Sequence, residues 1–339
     1  MSSHSENIIG HSSTLALALE QVSRLAPINR PVLIIGERGT GKELIAERIH
    51  FLSGRWDKPL LKVNCAAISN DLLESELYGH EPGAFTGANR VHHGRFERAD
   101  GGTLFLDEVG TMSSRLQERL LRLIEYGEFE RLGGQQTLTA DVRVVAATNS
   151  NLKAMADREL FRRDLLDRLN FDVIHVPPLR YRVDDIPELA QHFAVQMCRD
   201  LGWDYFPGFT EAAMQSLYQY AWPGNIRELK NVVERSVYRW AEPAKPVADI
   251  IIDPLISPYQ ENTSVPILLI NRNTLAEEPE MEQDFTDQIN AYGLQLLKNT
   301  LAKFHNHQGR AAKALGLTYH QLRGLMRKYQ LIGNRNIQH

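Results

Sequence analysis

Gly36-Glu37-Arg38-Gly39-Thr40-Gly41-Lys42 is the stretch of this 339-residue chain in which residue type and spacing point most directly to chemistry. Its glycines let the backbone curl until successive N–H groups face inward, and the helix that follows adds its positive dipole end. Lys42 then supplies a compact charge between two outer phosphates. The β-branched run 32–35 before it and the amphipathic run 43–52 after it give the strand–loop–helix setting that a phosphate loop needs. The Ser or Thr that usually follows the lysine and ligates Mg2+ is Glu43 here. That leaves the gap in the metal's coordination to water or to Thr40.

A second constellation is Asp107-Glu108, at the end of the apolar run 103–106. Two carboxylates closing an apolar strand are costly unless they face a cation or strong donors. This assigns Asp107 to Mg2+ and Glu108 to polarising a water that attacks phosphorus. The runs 142–149 and 60–64 also end on polar residues, Asn149 and Asn64. Asn149 is placed to orient the water or sense a γ-phosphate. Asn64 is placed to hold Glu108 away from water until the nucleotide changes.

Strand-like runs at 32–36, 60–64, 103–107, 142–149 and 172–176 must position these groups. They alternate with helical patterns such as 43–52 and 115–126, which predicts an α/β fold: a parallel sheet with helices on both faces. Strand signals stop after Pro177-Pro178. The segments 184–201, 211–220 and 225–240 then read as three helices, the second opened by Thr210 as N-cap. The expected organisation is an α/β subdomain at 1–176, a helical lid at 177–253, a Pro- and Glu-rich linker at 254–284 and a further helical domain at 285–332.

The chain's net charge of -4 hides an uneven distribution. From Lys298 onward there are eight Lys and Arg and no Asp or Glu, which fits local contact with a polyanion. Residues 310–315 form a short alanine-rich helix, Gly316 a tight turn, and 319–329 a second helix with Leu322, Leu325 and Met326 on one face. Small residues in the first helix allow the close crossing of a helix-turn-helix. Arg310, Lys313, Thr318, Tyr319, His320, Gln321, Arg323, Arg327 and Lys328 are then candidates to reach bases or phosphates. A helix at 285–304 would make a dimer contact. Cys65 and Cys198 lack metal-ligand spacing and read as reduced core cysteines. The polar N-terminus and the absence of any run near the roughly 18 apolar residues of a membrane span predict a cytoplasmic protein with no membrane insertion.

The hexapeptide Gly83-Ala84-Phe85-Thr86-Gly87-Ala88, inside Gly79-His80-Glu81-Pro82-Gly83, resembles the signature loop of the sigma-54-dependent transcription activators. These are AAA+ P-loop ATPases. The resemblance extends over nearly the whole chain. Residues 36–43 match the family's nucleotide loop including Glu43, and so do Phe161-Arg162-Arg163-Asp164-Leu165 with Arg168, Pro177-Pro178-Leu179-Arg180 and Trp222-Pro223-Gly224-Asn225-Ile226-Arg227-Glu228-Leu229. It implies an AAA+ fold with a helical lid and a C-terminal Fis-type helix-turn-helix domain, with ATP and Mg2+ as cofactors. It implies a homo-oligomeric ring, a hexamer, with ATP between neighbours, Arg162 and Arg168 acting in trans and Arg227 in cis. Residues 83–88 would contact the sigma-54 RNA polymerase holoenzyme, and the C-terminal domain would hold double-stranded enhancer DNA.

Glu97-Arg98-Ala99-Asp100 and residues 120–131 resemble the members that activate phage shock genes. The ATPase begins almost at residue 1, so control in trans is expected, which that resemblance assigns to phage shock protein A as inhibitor. Trp56 is a candidate anchor for it, the alternative being a partly buried core residue. An AAA+ remodelling ATPase with no transcriptional role would also fit the phosphate loop, but not residues 83–88 or 308–329.

Overall fold

Five parallel strands, β1 Val32–Ile35, β2 Leu60–Asn64, β3 Thr103–Asp107, β6 Arg143–Thr148 and β7 Val173–His175, form one sheet in the order β2-β3-β6-β1-β7. This computed structural model describes residues 8–254 and 293–331, the latter without 295, 296, 302, 303, 305, 306 and 330. The chain divides into two units, Met1–Pro258 and Tyr259–His339. β3 and β6 are apolar and buried along nearly their whole length, as strands covered on both faces must be.

The period-two alternation of the strands sorts their side chains into two cores. Leu33, Leu104, Leu106, Val144 and Ala146 join one cluster with α3 Asn70–Tyr78 and α5 Ser114–Tyr126. Val32, Ile34, Phe105, Val145 and Ala147 join another with α1 Ser13–Leu25 and α2 Lys42–Phe51. α5 shows why these helices form. Ser113 caps it by accepting from Leu116 N, Gly127 ends it at φ 69°, and Leu116, Leu120 and Leu123 lie on its buried face. Register aligns the strands' C-terminal ends: Asn64 is opposite Asp107, and Ile35 is opposite both Thr148 and His175. Asn64, Asp107, Glu108 and Asn149 therefore collect at one edge, where parallel sheets bind ligands.

Between β3 and β6 the chain adds the short hairpin β4 Glu128–Glu130 and β5 Thr137–Thr139. Three-residue strands carry too little alternation to be read in advance. The helix α4 Arg95–Arg98 precedes β3, while α6 Leu152–Asp157 and α7 Arg163–Leu169 precede β7.

The lid consists of α8 Ile186–Asp200, α9 Glu211–Gln219 and α10 Asn225–Trp240. The helix expected at 184–201 opens instead with a 3-10 turn, Val183–Asp185, and α8 carries Pro187 in its first turn, where a missing N–H costs nothing. Thr210 caps α9 as expected, accepting from Ala213 N. Trp222, fully buried, donates its indole N–H to the Leu217 carbonyl.

In the second unit, residues 297–301 are helical, followed by α11 Gln308–Ala314 and α12 Tyr319–Lys328. Ala311 and Ala312 pack on Leu322, Met326, Leu297 and Leu301, and Gly316 makes the turn at φ 66°. Of the helix expected at 285–304, residues 285–292 lie outside the described residues, as does the linker beyond Pro254. Among the described residues, no helix is long and apolar enough to cross a membrane. Cys65 and Cys198 are buried thiols, and burial pushes the Cys65 thiol up to about 12.

Candidate nucleotide site, signature loop and basic helix

The phosphate loop is fixed by its glycines. Gly39 and Gly41 have φ of 76° and 95°, and a Cβ on Gly39 would lie 2.3 Å from the Gly224 carbonyl oxygen. Thr40 is buried and spends its hydroxyl on the Glu37 carbonyl, 2.9 Å away. Lys42, 7% exposed, donates to the carbonyls of Gly36 and Glu37 at 3.1 and 3.3 Å. Its Nζ is also 3.7 Å from Glu108 Oε1, and both side chains are nearly enclosed.

Glu108 leaves the end of β3 in the left-handed region, φ 55°, a conformation that costs a non-glycine residue roughly 1–3 kcal/mol. This turn swings its carboxylate off the strand toward the phosphate loop, where Oε2 also accepts from Asn149 N at 3.2 Å. Asp107 stays on the strand and accepts from Glu108 N at 3.1 Å. Burial, reinforced by the neighbouring Glu108 charge and opposed by Lys42, raises the Asp107 carboxyl above its usual range. Two carboxylates and one ammonium converge here. That surplus of negative charge in a half-buried setting suits a divalent cation accompanied by phosphates.

Asn64, expected to restrain Glu108, has its Nδ2 3.4 Å from Asp107 Oδ2, and its Oδ1 accepts from Ala66 N. The register explains this, because Asn64 and Asp107 are direct cross-strand neighbours while Glu108 has turned away. The restraints on Glu108 are Lys42 and the Asn149 backbone. Glu43 faces Lys62, 2.7 Å away, on the exposed side of α2.

Three lid residues at the phosphate loop went unassigned in the sequence. Arg180 grips Glu37 with both guanidinium ends, Arg182 donates to the Thr40 carbonyl, and Asn225 donates to Glu37 and to the Arg38 carbonyl. Arg180 lies in the motif at 177–180 and Asn225 in the motif at 222–229, both legible but silent about their partners, while Arg182 lies in neither. Arg38 and Arg227 are exposed, and Arg227 starts beside Gly39. A cavity of about 460 Å3 runs along the same sheet edge, lined in part by Ile35, Gly36, Glu37, Asn149 and Pro178.

Arg162 and Arg168 sit apart from this cluster. Arg162 clasps Asp164 through Nε and Nη2 at 3.1 and 2.7 Å, and Arg168 donates to Glu125 at 2.7 Å.

The signature loop is a closed turn. Gly83 N donates to the Ala88 carbonyl at 2.7 Å and Ala88 N to the Phe85 carbonyl at 3.0 Å. Gly83 and Gly87 have φ of 84° and 102°. Ala88 is buried, Thr86 is exposed, and the Phe85 ring, 44% exposed, meets His80 edge-on at 4.8 Å. Below the loop Arg131 pairs with both Glu81 and Glu97, and Arg131 holds the Glu97 carboxyl down to about 2.

In the second unit Arg310, Lys313, Tyr319, His320, Arg323, Arg327 and Lys328 are all exposed. Thr318 and Gln321 are committed to a reciprocal cap of α12: Thr318 Oγ1 accepts from Gln321 N, and Gln321 Oε1 accepts from Thr318 N. Trp56 is 64% exposed beside Phe51 at 54% and Leu52 at 44%, so the buried alternative does not hold.

Comparison with known proteins matches domains along most of the chain. Residues 8–175 fit the Sigma-54 interaction domain, 180–247 the AAA+ ATPase lid domain and 294–329 the bacterial regulatory protein, Fis family. The Psp operon transcriptional activator of Escherichia coli (strain K12) is 53% identical over 338 residues, covering 98% of this chain and 100% of that one. The Nif-specific regulatory protein of Azotobacter vinelandii is 50% identical over 229 residues, 68% of this chain but 44% of its own length. The crystal structure of NtrX from Brucella abortus in complex with ATP superposes with a TM-score of 0.68 at 29% identity, covering 96% of this chain and 70% of that one. The three domain matches together cover most of the chain, and with the 53% identical relative they show that it belongs to the sigma-54-dependent transcriptional activators, AAA+ ATPases with a Fis-type DNA-binding domain.

Proposed function

We propose that this chain hydrolyses ATP between neighbouring copies in a hexameric ring and uses each cycle to drive the Phe85 turn against sigma-54 in the polymerase closed complex. The observation that carries the reading is the enclosed Lys42–Glu108 pair, 3.7 Å apart at the sheet edge. The backbone N–H groups of residues 37–41 and Lys42 bind the phosphates, while Gly36 N stays bonded to the Thr148 carbonyl. Lys42 gives up its two loop carbonyls to do so, which loosens its hold on Glu108. Glu108, already turned off β3, then orients a water and accepts its proton as oxygen approaches the γ-phosphorus. Asp107 would hold Mg2+, which supplies charge neutralisation on the phosphate oxygens. Asn64 steadies Asp107, and Asn149 holds Glu108 from the adjacent strand end.

Arg162 and Arg168, outside their own chain's cluster, are assigned to the neighbour's phosphates, and Arg227 to the nucleotide in cis. A change at Glu108 reaches residues 79–95 through β3 and α4, whose Glu97 is tied by Arg131 to Glu81 just before the turn. The domain organisation supporting this is an ATPase core at 1–176, a lid at 177–253, a linker at 254–284 and a DNA-binding domain at 285–332. The exposed basic side chains of α11 and α12 hold the ring at enhancer DNA. The match to the Psp operon activator favours phage shock genes as targets. The exposed Trp56 is the anchor on which phage shock protein A is placed as inhibitor, with Phe51 and Leu52 exposed nearby in the sequence.

Open-complex formation at a sigma-54 promoter with purified components tests this. ATP should support it and a non-hydrolysable analogue should not. Promoter opening that proceeds equally with both would remove hydrolysis from the function.

A further inference from the structure

A carboxylate inside a phosphate-binding loop is unfavourable for a polyanion unless another charge neutralises it. Glu37 is such a residue, and its partners all belong to the lid. Arg180 meets it with two parallel bonds, Nη1 to Oε2 at 2.8 Å and Nη2 to Oε1 at 2.6 Å. Asn225, fully buried at the start of α10 with φ 55°, adds Nδ2 to Oε2 at 3.1 Å.

The next three loop residues are held by the lid as well. The Arg38 carbonyl accepts from Asn225 Nδ2 at 3.1 Å, the Gly39 carbonyl from Ile226 N at 3.0 Å, and the Thr40 carbonyl from Arg182 Nη2 at 2.9 Å. Arg182 is 2% exposed. Of these contacts, the Glu37–Arg180 pair joins two full charges through flexible side chains, with Glu37 42% and Arg180 38% exposed. It can part and re-form without unpacking a core, whereas the Asn225 and Arg182 donors are buried side chains and the Ile226 bond is backbone to backbone.

We propose that Glu37 and Arg180 form a latch between the phosphate loop and the lid, a pair of positioning residues that sets how long a bound nucleotide is retained. The latch rests on the nucleotide-site reading above. Closed, it neutralises Glu37 and keeps the lid over the loop. Parted, it leaves an unpaired carboxylate in the loop that binds the phosphates, which favours their departure.

The test follows release of a fluorescent ADP analogue from the full chain in wild type, Glu37→Gln, Arg180→Gln and the double variant. Arg180→Gln should release it about fivefold faster, the scale of a partly exposed bidentate pair. The double variant should be no faster than Arg180→Gln alone, since one interaction is lost either way. Added salt should speed release from wild type and leave the double variant nearly unaffected. Unchanged release in Arg180→Gln, or single effects that multiply in the double variant, would overturn the latch alone. A wild-type chain that takes up none of the analogue would instead overturn the nucleotide-site reading, and the latch with it.

Discussion

Lys42 and Glu108 hold each other at 3.7 Å in a setting where each side chain is about one-tenth exposed, 8% and 12%. The charge that would bind phosphate thus guards the charge that would activate water. On the proposed mechanism, phosphate binding and the release of Glu108 would be one event, because Lys42 cannot serve both partners at full strength.

Phe85 stands out of its turn at 44% exposure with its ring edge-on to His80, so it contributes little to its own domain's packing. Phe85→Ala should leave ATP turnover within about twofold of wild type and fold stability within about 0.5 kcal/mol. It should abolish co-migration with sigma-54. Retained sigma-54 binding would relocate the contact surface.

Arg162 and Arg168 pair with Asp164 and Glu125 rather than with their own chain's phosphate loop. If they act on a neighbour, a Lys42→Ala chain and an Arg168→Ala chain, each inactive alone, should regain ATPase activity when mixed. The mixture forms some junctions with an intact Lys42 on one side and an intact Arg168 on the other. A mixture as inactive as its components would place Arg168 in cis.

Glu97 is held down to about 2 by Arg131, from a usual value of 4.5. A folded value below the unfolded one adds stability that is complete above about pH 4.5 and fades as pH falls toward 2. Glu97→Gln should therefore cost about 1 kcal/mol near neutrality, discounted for partial exposure. The gap from wild type in denaturant unfolding should shrink below that pH. A gap that is constant with pH would mean that packing, not the ion pair, accounts for the loss.

Much of this site was legible because short-range chemistry specified it. The glycines and Lys42 define a phosphate loop from neighbouring residues alone, and apolar runs ending in Asp107 or Asn149 place those groups at one sheet edge. What could not be read was which polar group meets which. Asn64 faces Asp107 because parallel register pairs them, and Glu108 turns away through a left-handed φ that nothing in its local sequence announces. The Glu37–Arg180 contact spans 143 positions of sequence, and no periodicity encodes it. Thr318 and Gln321 are candidates to reach DNA, and their spacing of three, with the threonine first, also spells the capping box that the structure shows. The hairpin at 128–139 was missed because its strands have three residues each.

The most direct measurement is steady-state ATP turnover by Glu108→Gln alongside nucleotide binding by the same variant. The amide keeps the side chain's shape and its contact with Asn149 N but cannot accept the water's proton. Turnover should fall by at least about a hundredfold while ATP remains bound. Turnover equal to wild type would contradict the assignment of Glu108 and the coupling built on its pairing with Lys42.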